Sequence, residues 1–262
     1  MPVSDTQRRP RFELARRYSA ADVEVLSEDE AKRFAPGDTA DPRSDPTLAW
    51  ELLYRLEPDL YERLVAAERL HPGVLAWLPR DVERIVEVAA GTGRLTLELV
   101  ERAHELVAIE PAAPLREILT QKLSRADHGQ RARVIHGFFD DLPIADDYAN
   151  LVVACSALTP ATGHGGEAGL AEMERVCRPG GCVVIVWPNE IPWLAAHGYR
   201  HVSFDDGELF VEFASHQEAA ELTEIFYPRG GDEVRRHGWT RVSYDVLGVN
   251  PPRDLAYKLI AR

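Results

Sequence analysis

The stretch Ile85-Val86-Glu87-Val88-Ala89-Ala90-Gly91-Thr92-Gly93-Arg94-Leu95-Thr96 runs from an apolar, β-like segment through small residues into a helix-like one. Such a bend lets a ligand approach the backbone, and the N–H groups opening the next helix can bind it. A nucleoside triphosphate loop requires Lys and then Ser or Thr after its last glycine, whereas Arg94 and Leu95 follow Gly93. A dinucleotide fingerprint requires a third small residue where Thr96 stands. That leaves a different adenosine-bearing ligand, or a bend that only turns the chain, for which Gly91 and Gly93 would be needed equally. Arg94 reads as a solvated first-turn side chain before it reads as a carboxylate clamp. Further along, the loop Thr159-Pro160-Ala161-Thr162-Gly163-His164-Gly165-Gly166 carries His164, the best-placed general base, although a lone loop His is commonly incidental. His197 and Tyr199 are the lesser candidates.

Composition narrows the field. The chain has 262 residues, 45% of them hydrophobic and 28% charged, which suits a soluble globular core. A net charge of -13 argues against a nucleic-acid partner, since such binders replace counterions with Lys and Arg. Arg8, Arg9, Arg11, Arg16 and Arg17 form the one basic cluster, which reads as a solvated face or frayed tail. Cys155, Cys177 and Cys182 lack zinc-ligand or disulfide-framework spacing, so no metal is expected. No membrane-spanning run or secretory core is seen, and a cytoplasmic protein is expected.

The elements that must position these residues follow from periodicity. Before the first strand lie a short helix over about 20–33 and helices carrying Leu48, Leu52, Leu53 and Leu56, then Leu60, Leu64, Val65 and Ala67, with a last segment ending at Trp77. From residue 84, strands over 85–89, 105–109, 133–137, 151–154 and 182–187 alternate with helices over 93–103, 112–126 and 167–178, the last stopped by Pro179-Gly180-Gly181. This alternation predicts a parallel sheet with helices on both faces. Strands over 201–204 and 208–213 read as a hairpin across Asp205-Asp206-Gly207, followed by a helix over 216–226. Residues 241–249 and 255–261 read as a final antiparallel pair.

In order and spacing these segments resemble the class I S-adenosylmethionine-dependent methyltransferases, in particular their small-molecule branch. Glu87-Val88-Ala89-Ala90-Gly91-Thr92-Gly93 looks like the family's first motif, with Ala89 in place of the first glycine. Val107-Ala108-Ile109-Glu110-Pro111 resembles the end of its second strand, where an acidic residue grips both ribose hydroxyls. A carboxylate has two acceptor oxygens for the two donors of a cis-diol. His136-Gly137-Phe138-Phe139-Asp140-Asp141-Leu142-Pro143-Ile144 resembles the loop beside the adenine, where Asp140 would meet the amino group or Phe138 or Phe139 would stack. Asn150 to Leu158 resembles the fourth strand and its active-site end, and Glu174 to Gly181 the entry to the fifth.

The resemblance implies a Rossmann-like α/β fold: a seven-stranded, mostly parallel sheet between helices, its last strand antiparallel. It adds an N-terminal helical cap over 1–80, a core over 81–262 and a substrate-side insertion at about 188–214. The implied cofactor is S-adenosylmethionine, contacted by Glu87, Ala89, Gly91, Gly93, Glu110, Pro111, Phe138, Phe139, Asp140, Ser156 and Ala157. Plainer readings stand beside these: a solvent-exposed strand-end carboxylate for Glu87, a helix-capping neighbour for Glu110, core packing for Phe138 and Phe139. The expected activity is methyl transfer to a small-molecule acceptor, apolar or aromatic, at oxygen in preference to nitrogen or carbon. No nucleic-acid or membrane partner is expected, and a homodimer is compatible. The alternatives are a non-catalytic protein that binds the cofactor or its product, and an enzyme of this fold with other chemistry, such as an aminopropyltransferase.

Overall fold

A computed structural model describes residues 12–37 and 40–261. Arg8, Arg9 and Arg11 of the basic cluster lie outside the described residues. In chain order the elements are α1 (Phe12–Ala15), α2 (Glu28–Phe34), α3 (Pro46–Leu56), α4 (Pro58–Ala67), α5 (Pro72–Trp77), β1 (Val82–Val88), α6 (Thr96–Val100), β2 (Ala103–Ile109), α7 (Ala113–Arg125), β3 (Ala132–Ile135) and β4 (Ala149–Cys155). They continue as α8 (Gly166–Val176), β5 (Cys177–Val186), α9 (Ile191–Ala196), β6 (Arg200–Ser203), β7 (Phe210–Glu212), α10 (His216–Phe226), α11 (Pro228–His237), β8 (Arg241–Ser243), α12 (Tyr244–Leu247) and β9 (Asp254–Leu259). The chain divides into two compact units, one of residues 70–205 with 253–262, the other of residues 1–69 with 206–252.

The first unit holds a seven-stranded sheet ordered β3-β2-β1-β4-β5-β9-β6. β1 to β5 run parallel, and β9 lies antiparallel between β5 and β6. The fold is therefore the expected Rossmann-like one. Its central strands are buried on both faces, as a parallel sheet covered by crossover helices requires. Val86, Val88, Val107, Ile109, Val152, Ala154, Val183 and Ile185 pack with Leu170, Met173 and Val176 of α8 into a single core. α8 ends at Val176 and the chain enters β5 at once, so Pro179-Gly180-Gly181 opens a strand instead of stopping a helix. The register of β5 against β4 shifts there, and a Cβ at Gly181 would sit 2.7 Å from Cys177 Sγ and 2.8 Å from the Asn150 carbonyl. Only glycine fits beneath that bulge.

The strand at 200–203 pairs with β9 as the outer strand of the sheet, and β7 pairs with β8 in a separate two-stranded sheet. No hairpin joins 201–204 to 208–213: the Asp-Asp-Gly signal marks a turn, at Gly207 with φ of +95°, but does not choose strand partners. Nor do 241–249 and 255–261 pair. Ser243 caps α12 by accepting the Val246 N–H, and Gly248, with φ of +69°, ends that helix, which cuts the expected strand short.

In the second unit, the expected helix over 20–33 is broken at Leu26-Ser27 into a 3-10 turn (Ala20–Val25) and α2. Ser27 and Glu30 form a capping box there. Glu30 also meets Arg55 of α3, which reaches Glu51 through its other nitrogen at 2.6 Å. All three side chains are buried, and the Arg55 guanidinium lies over the Phe34 ring. Trp50, Tyr54, Tyr61 and Phe226 form a chain of ring contacts with centroids 4.8–6.0 Å apart.

Removing Arg55 leaves two buried carboxylates without their cation. Arg55→Ala is expected to cost about 3–5 kcal/mol in urea unfolding, against a near-neutral result if the triad were solvated.

Candidate functional site

The loop after β1 is held in left-handed backbone at Ala89 (φ +55°), Gly91 (φ +57°) and Gly93 (φ +96°). Gly93 needs its bare Cα twice over, since a Cβ there would also stand 2.5 Å from Leu119 Cδ1. Ala89 has no such excuse and carries the strain of a side chain in that region. Neighbouring strands fix the loop: Ala90 N donates to Ile109 O at 3.0 Å, and Lys122 of α7 donates to Thr92 O at 2.9 Å.

Glu110, just past β2, is 4% exposed. Its Oε2 accepts the Gly91 N–H at 3.0 Å and its Oε1 the Ala112 N–H at 2.8 Å. The capping reading is thus realised, by a carboxylate that can accept about four hydrogen bonds in all. The Pro111 carbonyl accepts from Arg116 at 2.6 Å.

Glu87, at the end of β1, is 1% exposed, so it is not a solvent-facing strand end. Burial pushes its carboxyl up to about 8, the charge of Glu110 adds to the shift, and the nearby Thr96 hydroxyl pulls the other way. Among the described residues, Glu87 Oε2, Thr92 Oγ1 and Thr96 Oγ1 are buried without a well-formed hydrogen bond. Buried polar atoms are rarely left so, and three around one glycine-rich loop suit a polar ligand there.

Past β3, Phe139 is half-buried and packs against the core cluster, its ring close to Gly165 and Gly169. Phe138 stays half-buried, edge-on to His136 with centroids 5.0 Å apart, and Asp140 is exposed. Past β4, Ser156 and Ala157 are half-buried, and Ser156 N donates to Val186 O at 2.9 Å. His164 is half-buried in a 3-10 turn (Thr162–His164), its carbonyl accepting the Thr159 N–H at 3.1 Å. The lesser base candidates are committed elsewhere: both ring nitrogens of His197 are engaged, by the Trp193 carbonyl and Glu167, and Tyr199 is buried with its hydroxyl on Glu174.

Ser156 also has a left-handed backbone (φ +55°), and so does Trp187 (φ +51°) at the end of β5. Ala89, Ser156 and Trp187 follow the last residues of β1, β4 and β5, three adjacent strands. A bulky residue before a proline rarely takes this conformation, and such strain gathers at functional sites. The Trp187-Pro188 pair was the signal sequence reasoning missed. Arg94 departs from its solvated reading: α6 begins only at Thr96, and the half-buried Arg94 guanidinium lies 5.1 Å from the centre of the Trp187 ring.

Residues 85–181 match a family described as a methyltransferase domain. An uncharacterized methyltransferase of Mycobacterium tuberculosis is 32% identical over 120 residues, which are 44% of this chain and 44% of the relative. One from Geobacillus kaustophilus is 31% identical over 100 residues, 38% of this chain and 44% of that protein. The chain thus spans less than half the length of the relatives it matches. A solved tRNA methyltransferase of Aquifex aeolicus shares the fold at 14% identity and a TM-score of 0.50, covering 78% of this chain and 76% of its own.

Two measurements on ligand-free protein check the site. Relief of about 1–2 kcal/mol of strain at Ala89 outweighs about 0.5–1 kcal/mol of added chain entropy, so Ala89→Gly is expected to raise unfolding free energy by about 0.5–1 kcal/mol. Glu87 keeps its proton when folded and loses it when unfolded between its ordinary value and about 8, so its contribution to stability falls as pH rises through that window. Glu87→Gln should therefore gain on the parent protein from about pH 5 to 8 and hold a constant lead above it; a pH-independent difference would contradict the shift.

Proposed function

We propose that this chain, whose residues 85–181 belong to the class I S-adenosylmethionine-dependent methyltransferase family, transfers the methyl group of S-adenosylmethionine to a small-molecule acceptor and releases S-adenosylhomocysteine. The observation that carries the reading is the buried Glu110 just past β2, whose carboxylate is tied to the Gly91 N–H of the glycine-rich loop. The cofactor, when bound, supplies an electrophilic methyl group on sulfur. The chain's own part is to hold it and the acceptor in line and keep water out. Glu110 accepts the ribose hydroxyls, and Glu87 with the loop of Ala89, Gly91 and Gly93 lines the amino-acid end. Pro111, Phe138 and Asp140 border the base, with Phe139 supporting that loop from the core. Ser156 and Ala157 flank the transfer site.

An acidic chain of net charge -13 supports a small acceptor in preference to tRNA, the substrate named for the Aquifex protein. The aromatic residues Trp193 and Phe204, in the segment after β5, favour an apolar or aromatic one. Transfer to a hydroxyl is the form we favour, and it requires a base to take the proton, the role assigned to His164.

Calorimetry with S-adenosylmethionine and S-adenosylhomocysteine is expected to give saturable binding; absence of heat up to millimolar ligand would overturn the proposal. Glu110→Ala should weaken binding by about 1.5–3 kcal/mol, the range for hydrogen bonds to a charged group. Labelled methyl groups should appear in small-molecule extract fractions and not in total tRNA.

A further inference from the structure

On one side the seven-stranded sheet ends at β6, whose outer edge meets no further strand among the described residues. β6 pairs with β9 in antiparallel register, from Arg200 opposite Tyr257 to Ser203 opposite Asp254. Phe204 prolongs the pairing by donating its N–H to the Arg253 carbonyl at 2.9 Å. In an antiparallel pair alternate residues bond to opposite sides. Arg200, Val202 and Phe204 therefore bond inward to β9, and the N–H and C=O groups of His201, Ser203 and Asp205 point outward. Arg200, His201, Ser203 and Asp205 are exposed, while Val202 and Phe204 are half-buried. We propose that this outer edge of β6 is a docking surface for a second copy of the chain, whose own β6 pairs with it antiparallel about a two-fold axis at Ser203.

Charge selects that occupant. The segment Arg200-His201-Val202-Ser203-Phe204-Asp205-Asp206 begins basic and ends acidic. The register that uses all three outward residues of each copy sets Ser203 against Ser203 and His201 against Asp205 as hydrogen-bonded pairs. Between and beyond these it sets Val202 against Phe204 and Arg200 against Asp206. Each basic side chain then meets an acid and each apolar one meets an apolar one, twice over, as a self-complementary interface requires. A parallel copy in register would bring Arg200 to Arg200 and Asp206 to Asp206, a repulsive arrangement. Charges on an edge strand ordinarily keep other strands away; here the two signs stand at opposite ends, so they bar the parallel approach and favour the antiparallel one. Contacts within one copy hold these side chains along the edge: His201 Nε2 lies 2.9 Å from Asp254, and Asp205 accepts from Ser203 Oγ at 3.1 Å and lies 3.6 Å from Arg253. The opposite edge of the sheet lacks such complementarity, since β3 and its flanks carry Arg131 and Arg133 and no acid from Arg131 to His136.

The edge is short, so the dimer is weak, with a dissociation constant in the micromolar range. Sedimentation velocity on the full chain from about 1 to 200 µM should show a reversible monomer–dimer equilibrium. Arg200→Asp and Asp206→Arg should each raise the dissociation constant about tenfold or more by setting like charges together. The double variant should return it to within about threefold of the parent, because the exchanged ends remain complementary. Misfolded single variants could not produce that rescue. A chain that stays monomeric over the whole range overturns the proposal, and so does a dimer that neither single variant weakens. A dimer that both single variants weaken and the double variant fails to restore overturns it as well, because Arg200 then does not face Asp206.

Discussion

Glu110 ends β2 with a carboxylate that accepts the Gly91 N–H through one oxygen and the Ala112 N–H through the other. One side chain thereby fixes the middle of the glycine-rich loop and the start of α7, two segments that no strand pairing connects. Hydrogen bonds to a charged acceptor are the stronger kind, about 1.5–3 kcal/mol each, and burial keeps water from competing for them. The same charge bears on Glu87, which is buried nearby and held neutral around pH 7 partly because Glu110 is close. Burial first, and the neighbouring Glu110 second, thus hold the Glu87 carboxyl well above the usual carboxylate range.

Around this fixed point the strand ends are strained. β1, β4 and β5 all release the chain through a left-handed residue that carries a side chain, a step of about 1–2 kcal/mol apiece. The buried sheet beneath can bear that load because its central strands are enclosed on both faces. The result is a rim whose backbone turns sharply upward at three neighbouring points, leaving Ser156 and the Trp187-supported Arg94 at the edge where the strands open.

Much of this was legible in the sequence. The alternation of short β-branched runs with amphipathic stretches gave the parallel sheet, because burial on both faces leaves a continuous apolar run that periodicity detects. The acids at the ends of β1 and β2 and the glycines between them were found for the same reason, since their spacing follows strand and loop lengths. Pairing beyond β5 was not legible. β6 and β7 are separated by a good turn signal yet enter different sheets, a choice made by long-range contacts and not by local chemistry. Among site residues, Phe138 and Phe139 are adjacent, alike in sequence and both half-buried, and only packing beside Gly165 and Gly169 marks Phe139 as the ring set against the core. Trp187 escaped notice because an aromatic residue at a strand end is ordinary until its backbone angle is known.

The order of strands also bears on how the chain acquires its fold. β6 is made directly after α9, but its sheet partner β9 comes only with residues 254–259, and β5 keeps an open edge until the same moment. Non-local pairings of this kind are slow, and an unpaired apolar edge is the usual starting point for aggregation. During synthesis the first five strands can assemble early, while closure of the sheet waits for a strand that must insert between two others. Expression level and sensitivity to chaperones should therefore depend on the C-terminal strand far more than its six residues suggest.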